Sequence, residues 1–313
     1  MALRANHDFS DPLRMTCMLL VTGANGNLGG SIIRNLRSLS KTGDFAVATR
    51  NPQSAFARAL ATAGVEVRRA DFDSTSTLSA TFTGIRKALI ISTYSDNSQR
   101  LQQNLNALEA ARRAGVEHII YTSFINARQG SLSEHSRLVH HPTEQAIIAS
   151  GLTYTLLRHA LYADILVNDL DETLASGIFQ RCGGESACAY IAREDLGLSA
   201  ATVLVRDGHE NRIYTETMTR TYTGKEIAEA LSNTFGREIK YRAVAAEDWP
   251  QYMVEKWKVP ASLAGSATGT MRAVESGEFG IVTRDYESIT GRRPRSLEEF
   301  LQDLKAARAG SRA

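Results

Sequence analysis

The sequence predicts an α/β protein built on a doubly wound parallel sheet, followed by a smaller C-terminal α+β lobe. Short runs of β-branched and aliphatic residues alternate with helix-period segments from residue 17 to residue 158, which is typical of repeated βαβ units. A glycine-rich turn joins the first strand to the first helix. Of the 313 residues 43% are apolar, so the chain can bury a large core.

The regular part of the chain contains six strands separated by helical segments. The strands are predicted at 17–23, 45–50, 65–72, 88–93, 118–123 and 152–158. Apolar residues of the first helix share one face: Leu28, Ile32, Ile33, Leu36 and Leu39. The long helix before the fifth strand has a similar stripe: Leu101, Leu105, Leu108 and Ala111. Shorter segments between strands are expected at 53–63, 77–82 and 142–150.

Beyond residue 158 we expect a helix over 161–174, a glycine-containing stretch over 177–184 and then a mixed pattern. The boundary is approximate, since later segments can return to the first sheet. Trp249 and Trp257 have two interpretations, as core residues or as the lining of a substrate pocket. The predicted parts are a flexible extension over 1–16, a dinucleotide-binding domain over 17–158 and a mainly substrate-binding lobe over 159–313.

Composition excludes several classes of protein. Lysine plus arginine (36) nearly balance aspartate plus glutamate (34), so we expect neither nucleic acid nor an anionic membrane as a partner. Three scattered cysteines, Cys17, Cys182 and Cys188, suit a reducing compartment. The first sixteen residues lack the apolar core of a secretory signal, and no run approaches the roughly 18 apolar residues of a membrane span. We therefore expect a soluble, cytoplasmic protein.

The segment VTGANGNLGG carries the strongest motif, with Gly23, Gly26 and Gly29 at the junction of first strand and first helix. In a Rossmann-type fold such glycines permit a tight turn, close approach of a pyrophosphate and close helix–strand packing. The alternative is an ordinary turn, but the position after a strand and before an amphipathic helix favours a dinucleotide. Asn25, Asn27 and Leu28 complete the predicted contact loop.

The second strand ends in Arg50, where an NAD-binding protein usually presents a carboxylate to the ribose 2′-hydroxyl. A guanidinium can instead bind a 2′-phosphate bidentately, which favours NADP(H). The alternative for Arg50 is a solvated surface arginine. Asp71 and Phe72, after the third strand, are predicted to contact the adenine, although an acidic residue there also commonly forms a strand-end turn.

Polar residues end the fourth and fifth strands, at Ser92, Thr93, Thr122 and Ser123, where ligands bind in open α/β sheets. We predict the nicotinamide there. Carbonyl reduction by short-chain dehydrogenases needs a Tyr-x-x-x-Lys acid pair, but no lysine occurs from residue 88 to residue 224. The match at Tyr252 and Lys256 lies far away in the chain and is interpreted as coincidence.

Near this predicted site, His140, His159 and Tyr162 are the candidate catalytic or substrate-contacting residues. For His140 the alternative is a surface or helix-capping group. His135, His140 and His141 lack the spacing of a metal site and no carboxylate or cysteine completes a set, so no metal is expected.

Ordered matches from about residue 18 to residue 300 resemble the NmrA-like family of atypical short-chain dehydrogenases, and most closely its triphenylmethane and quinone reductase branch. Besides the glycine turn, the matching segments are ATRNP (48–52), VEVRRADFD (65–73), AARRAGVEHIIYTS (110–123), His140 with Thr143 and Glu144, YTLLRHALYADILVNDL (154–170), AREDLGLSAATVL (192–204) and GHENRIY (208–214). Departures are His159, where relatives have asparagine, and Asn25 and Asn27, where they have threonine and glutamine.

The resemblance implies NADPH along the glycine turn and Arg50, with the nicotinamide near Ser92, Thr122 and the segment from Arg158 to Tyr162. It also implies direct hydride transfer to a quinone-like or polycyclic aromatic acceptor, the proton coming from water or the product. Two alternatives stay open: a redox sensor that binds NADP(H) or NAD(H) and acts through a protein partner, and an enzyme of a different natural-product step. Homodimer formation is also left open.

Overall fold

The computed structural model describes residues 18–310, so the predicted extension over 1–16 and Cys17 lie outside the described residues. The strands found in this range are β1 (Met18–Val21), β2 (Phe45–Thr49), β3 (Glu66–Arg69), β4 (Ile85–Ile91), β5 (His118–Phe124), β6 (Thr153–His159), β7 (Leu161–Tyr162), β8 (Ile178–Arg181), β9 (Tyr190–Ile191), β10 (Arg212–Glu216) and β11 (Lys240–Ala243).

The α-helices of the same range alternate with these strands in the first half and dominate the second. They are α1 (Asn27–Leu39), α2 (Ala55–Thr62), α3 (Thr75–Phe82), α4 (Asn97–Arg113), α5 (His141–Ala149), α6 (Leu170–Ser176), α7 (Arg193–Val205), α8 (Gly224–Phe235), α9 (Trp249–Trp257), α10 (Ala261–Ala264), α11 (Ala267–Glu275), α12 (Asp285–Thr290) and α13 (Leu297–Gly310). A π-helical segment, His135–His140, leads directly into α5.

Seven parallel strands form the main sheet, in the order β3, β2, β1, β4, β5, β6 and β10. Apolar residues cover both of its faces, as a doubly wound sheet requires. The order reverses at β1, which pairs with β2 on one side and β4 on the other. This switch point places a crevice at the carboxyl ends of β1 and β4. The predicted α/β fold class is confirmed.

All six strands predicted for the regular region occur, and four of them end before their predicted last residue. Beyond some strand ends the backbone amide bonds to a side chain rather than to the ladder. The amide of Ser92, for example, donates to Thr122 Oγ1 at 3.0 Å. The fifth and sixth strands run to Phe124 and His159, each one residue further than predicted, because they pair with each other along their whole length.

The predicted helix over 161–174 is wrong. Residues Leu161–Tyr162 form β7 and pair with β9, and a 3₁₀ turn over Ala163–Val167 follows before α6 begins at Leu170. Apolar residues in this stretch are spaced as in a helix. The distant partner Tyr190 overrides that local pattern, because the pairing satisfies the backbone of β7.

Two elements from beyond residue 158 complete the layers of the main sheet. The edge strand β10 pairs along its whole length with β6, and α7 packs against α1. That packing is close, since a Cβ atom on Gly197 would lie 2.0 Å from Ser31 Oγ. Residues on both sides of position 158 thus share one sheet. The division of the chain into domains at that position stays a prediction.

The remaining residues build the C-terminal lobe around an aromatic cluster. Trp249 stacks on Tyr252 with ring centroids 4.9 Å apart, and Trp257 packs edge-on against Trp249 at 5.2 Å. Arg181 lies against the Trp257 ring and forms a buried ion pair with Asp169 at 2.7 Å. The two tryptophans therefore belong to the packed interior of the lobe. Within residues 18–310, no helix is both long and apolar enough to cross a membrane.

Removing the Asp169 carboxylate is expected to destabilise the lobe strongly. An Asp169→Ala variant leaves the Arg181 guanidinium buried without its counter-charge, which should lower the free energy of unfolding by about 3 kcal/mol. Denaturant unfolding monitored by tryptophan fluorescence measures this change. Glu287→Ala, which breaks the exposed pair with Arg284, is the matched control and should cost less than about 1 kcal/mol. Equal effects of the two substitutions would contradict the burial argument.

Candidate active site

Two connected cavities occupy the crevice at the carboxyl ends of the sheet strands. The first, about 270 Å³, lies beside the ends of β2 and β3 and is called here the β2-side cavity. The second, about 350 Å³, lies beside the end of β5 and is called the β5-side cavity. They share a wall formed by the residues Gly23, Gly26, Ile91, Ser92, Thr93 and Tyr94. One elongated ligand can therefore span both cavities.

The glycine turn has the geometry that its sequence predicts. Gly23 has a φ of +65°, which favours glycine. A Cβ on Gly29 would lie 2.3 Å from the carbonyl oxygen of Gly23, so only glycine lets α1 pack this closely. No side chain caps the N-terminus of α1, and its first turn holds no acidic residue. The open amides of this helix end suit a phosphate.

The β2-side cavity combines an unpaired guanidinium with an aromatic wall. Arg50 directly follows β2, is exposed, and forms no ion pair or hydrogen bond with any described residue. Nearby, the Asn25 side chain donates to Ser54 Oγ at 2.9 Å, and Ser54 in turn caps α2. Phe72 and Asp71 line the same cavity. The set fits an adenosine that carries an additional phosphate near Arg50.

The β5-side cavity brings together most of the residues predicted for the nicotinamide side. Its lining includes the cofactor candidates Asn27, Leu28, Ser92, Thr93, Thr122 and Ser123, and the catalytic candidates His140 and Tyr162. Phe124 and Leu161 add apolar surface. The π-helical segment, whose hydrogen bonds run from residue i to residue i+5, directs both His135 and His140 to this cavity.

His140 is buried within a hydrogen-bond network that fixes its protonation. The Asn104 amide donates to the Tyr121 hydroxyl at 3.0 Å, and the same hydroxyl shares a hydrogen bond with His140 Nδ1, also at 3.0 Å. Burial lowers the pKa of His140 well below 6.5 and raises the pKa of Tyr121 to about 12. His140 is therefore a neutral imidazole; with Tyr121 as the donor to Nδ1, its proton lies on Nε2, suited to donating a hydrogen bond rather than to acting as an acid.

The tautomer of His140 can be tested without any substrate. Nitrogen NMR of the labelled protein should show protonated Nε2 and unprotonated Nδ1 at neutral pH. Tyr121→Phe removes the donor to Nδ1 and should release the imidazole into a mixture of tautomers, with the fold retained because the ring is preserved. A wild-type imidazole protonated on Nδ1 would contradict the assignment of Tyr121 as the donor.

Buried histidines also predict how stability depends on pH. Burial lowers the pKa of both His118 and His135 to about 4, from an ordinary value of 6.5. Between these values the unfolded chain binds protons that the folded chain excludes, so stability should fall as pH drops from about 6.5 to about 4. Urea unfolding at a series of pH values measures the slope, which His118→Asn should reduce. A stability that rises on acidification across this range would contradict the assignment.

Arg158 and His159 line neither cavity, unlike the other candidate residues. The Arg158 guanidinium forms an ion pair with the buried Glu144 at 2.6 Å, and Ser123 Oγ donates to the same carboxylate at 2.6 Å. Arg158 therefore links β5, β6 and α5 behind the lining of the β5-side cavity. His159 is fully buried, with Nδ1 3.4 Å from the Tyr162 hydroxyl and Nε2 3.4 Å from a Glu216 carboxylate oxygen. It can reach a ligand only through Tyr162.

Two cations of the β5-side cavity were not predicted from the sequence. Arg100, on α4, donates from Nε to Ser92 Oγ at 2.9 Å. Arg193, at the start of α7, lies over the Tyr162 ring at 4.8 Å and 3.5 Å from Asp164. Both come from helices, α4 and α7, and the sequence analysis singled out neither residue. Only the tertiary packing of α4 and α7 reveals them.

Neither a metal site nor the distant Tyr-x-x-x-Lys match contributes to the cavities. In the part of the chain that the structure describes, no group of three or more His, Cys, Asp or Glu side chains could hold a metal ion. Tyr252 bonds to Asp169 at 2.5 Å and Lys256 to Glu172 at 2.5 Å, both in the C-terminal lobe. These contacts give the two residues a structural role.

Comparison with known proteins gives a consistent result. Quinone oxidoreductase 2 of Escherichia coli K12 is 32% identical over 287 residues, which cover 92% of this chain and 98% of that protein. A structure of NADPH-dependent quinone oxidoreductase from the same species, complexed with NADPH, has a TM-score of 0.84, with 29% identity, over 92% of this chain and 100% of the other.

Triphenylmethane reductase from Citrobacter sp., in a crystal structure complexed with NADP(H), has a TM-score of 0.83 and 33% identity. The match covers 91% of this chain and 99% of that one. The sequence model of the NmrA-like family matches residues 15–301, nearly the whole chain. With the Rossmann order of strands, the glycine turn and the two cavities, this match establishes that the chain belongs to the NmrA-like family.

Proposed function

We propose that this protein is an NADPH-dependent reductase that delivers hydride directly to a quinone-like or polycyclic aromatic acceptor. One observation carries the proposal: the two cavities meet at Ser92 and Thr93, so a dinucleotide in the β2-side cavity would reach the β5-side cavity with its nicotinamide end. Bound NADPH supplies the hydride. The relatives named above, complexed with NADP(H) or NADPH, support this choice of cofactor.

The residues of the β2-side cavity would select the cofactor. Arg50 has no carboxylate partner among the described residues, so its guanidinium is free to bind a 2′-phosphate through two parallel hydrogen bonds. The uncapped N-terminus of α1 would hold the pyrophosphate. Asp71 and Phe72 would border the adenine.

The residues of the β5-side cavity would position the acceptor rather than protonate it. Aromatic and aliphatic side chains, among them Phe124, Leu161 and Tyr162, form a surface on which a flat ring system can stack. His140 would offer its Nε2 proton as a hydrogen bond to an acceptor oxygen. The lining includes no lysine, so the usual acid pair is not part of the proposed mechanism. Water would protonate the reduced product.

Mixing the purified protein with NADPH and a panel of quinones and triarylmethane dyes tests this function. Acceptor-dependent loss of NADPH absorbance is the expected result. Tight NADPH binding with no oxidation by any acceptor would overturn the proposal and favour a redox sensor. A parallel assay with NADH measures the cofactor preference.

A further inference from the structure

The Arg100 guanidinium presents an unsatisfied positive charge to the β5-side cavity. Its Nε donates to Ser92 Oγ, but within residues 18–310 neither Nη1 nor Nη2 has a hydrogen-bond acceptor, and no carboxylate forms an ion pair with it. The side chain is half-buried, and this partial loss of solvent lowers its pKa, although an arginine remains charged in proteins. A guanidinium in such a place favours the binding of a negative counter-charge.

The other ionisable groups that line the β5-side cavity add to the positive charge of Arg100. Arg193 is a second cation in the lining, and its nearest carboxylate, Asp164, lies outside it at 3.5 Å. Burial keeps His135 and His140 neutral. No Asp or Glu occurs among the described residues of the lining. The acceptor end of the site is therefore electropositive.

Arg100 is placed to act on an acceptor rather than on cofactor phosphates. It lines the β5-side cavity but not the β2-side cavity, where Arg50 lies. Its neighbours in the lining include His135, His140 and Tyr162, which also line the β5-side cavity and not the β2-side cavity. An oxygen bound there would meet both the Arg100 guanidinium and the cavity side of His140.

We propose that Arg100 makes the acceptor site selective for quinones that carry an anionic substituent, and against cationic dyes. This inference rests on the proposed reductase function and adds the charge of the substrate. Hydride from NADPH converts the quinone to its hydroquinone monoanion and leaves NADP⁺, and one proton from water then completes the hydroquinone. Arg100 pairs with the substituent and with the oxyanion formed on reduction, whereas a triarylmethyl cation is repelled.

Three acceptors and two substitutions test the selectivity. The acceptors are a naphthoquinone sulfonate, the unsubstituted naphthoquinone and the cationic dye malachite green. Arg100→Leu should lower kcat/KM for the sulfonate by roughly ten- to a hundredfold, as expected for a lost charged hydrogen bond, and should leave or raise that for the dye. Arg100→Lys should retain most of the preference. Arg113→Leu, on the exposed face of the same helix, is the matched control and should change neither.

A binding measurement separates this inference from the proposed function. Calorimetry with dihydroxybenzene sulfonate and with neutral hydroquinone needs no turnover and can be run with and without NADP⁺. The wild type should prefer the sulfonate, and Arg100→Leu should abolish the preference while changing the Kd of NADPH less than about threefold. An unchanged preference, or a parallel loss of NADPH binding, overturns the inference. If no acceptor is reduced, the proposed function fails, and the binding result still decides the role of Arg100.

Discussion

Replacing Gly29 with alanine is expected to weaken NADPH binding by roughly a hundredfold or more, equivalent to about 3 kcal/mol of phosphate contacts. The new Cβ would lie 2.3 Å from the carbonyl oxygen of Gly23 and 3.0 Å from its carbonyl carbon. Both contacts are with backbone, which cannot rotate away as a side chain can. Relieving them moves the start of α1 away from β1 and spoils the turn that would hold the pyrophosphate.

Gly30→Ala provides a control one residue away in the same helix. There the nearest atom to a new Cβ is Arg34 Nη1 at 3.7 Å, an ordinary contact with a flexible side chain. Alanine is also the better helix former, by about 1 kcal/mol. Calorimetric titration with NADPH and thermal unfolding should therefore show normal binding and equal or higher stability for Gly30→Ala. Normal NADPH binding by Gly29→Ala would refute the assigned role of this turn.

An Arg50→Glu variant should lose affinity for NADPH by at least about a hundredfold while binding NADH almost normally. The substitution removes a bidentate phosphate partner and adds a repelling carboxylate, which can instead accept hydrogen bonds from a ribose hydroxyl. Because Arg50 forms no bond within the described structure, its replacement should leave the stability of the fold unchanged.

Titration with the two cofactors, one with the additional phosphate and one without it, measures the change in preference. Arg58→Glu, an exposed arginine on α2 outside both cavities, controls for the change in net charge. An equal loss of NADPH and NADH binding by Arg50→Glu would mean that Arg50 supports the site in general and does not recognise the phosphate.

Local sequence signals predicted the features that depend on local physics. The first six strands of the sheet follow from runs of β-branched and aliphatic residues, and the glycine turn follows from its position between β1 and α1. Arg50 could be predicted because it ends a strand that the pattern identifies. Twelve of the thirteen predicted cofactor residues line the two cavities, as do His140 and Tyr162.

Features set by distant partners could not be predicted. The seventh strand, β10, is short and carries no pattern that assigns it to β6 rather than to the C-terminal lobe. Arg158 follows the same strand pattern as its neighbours, but its ion pair with Glu144 holds the guanidinium behind the lining of the β5-side cavity. The positive charge of the β5-side cavity comes from Arg100 and Arg193, which approach from two helices widely separated in the sequence.

Direct hydride transfer without a protein acid is tested most directly by kinetic isotope effects on acceptor reduction. The cofactor is NADPH deuterated at the transferring carbon of the nicotinamide, and the rates are compared in H₂O and D₂O. We predict a clear primary isotope effect from the deuterated cofactor and almost none from the solvent, since water protonates the product after the hydride has moved. A dominant solvent effect, with none from the deuterated cofactor, would contradict direct transfer.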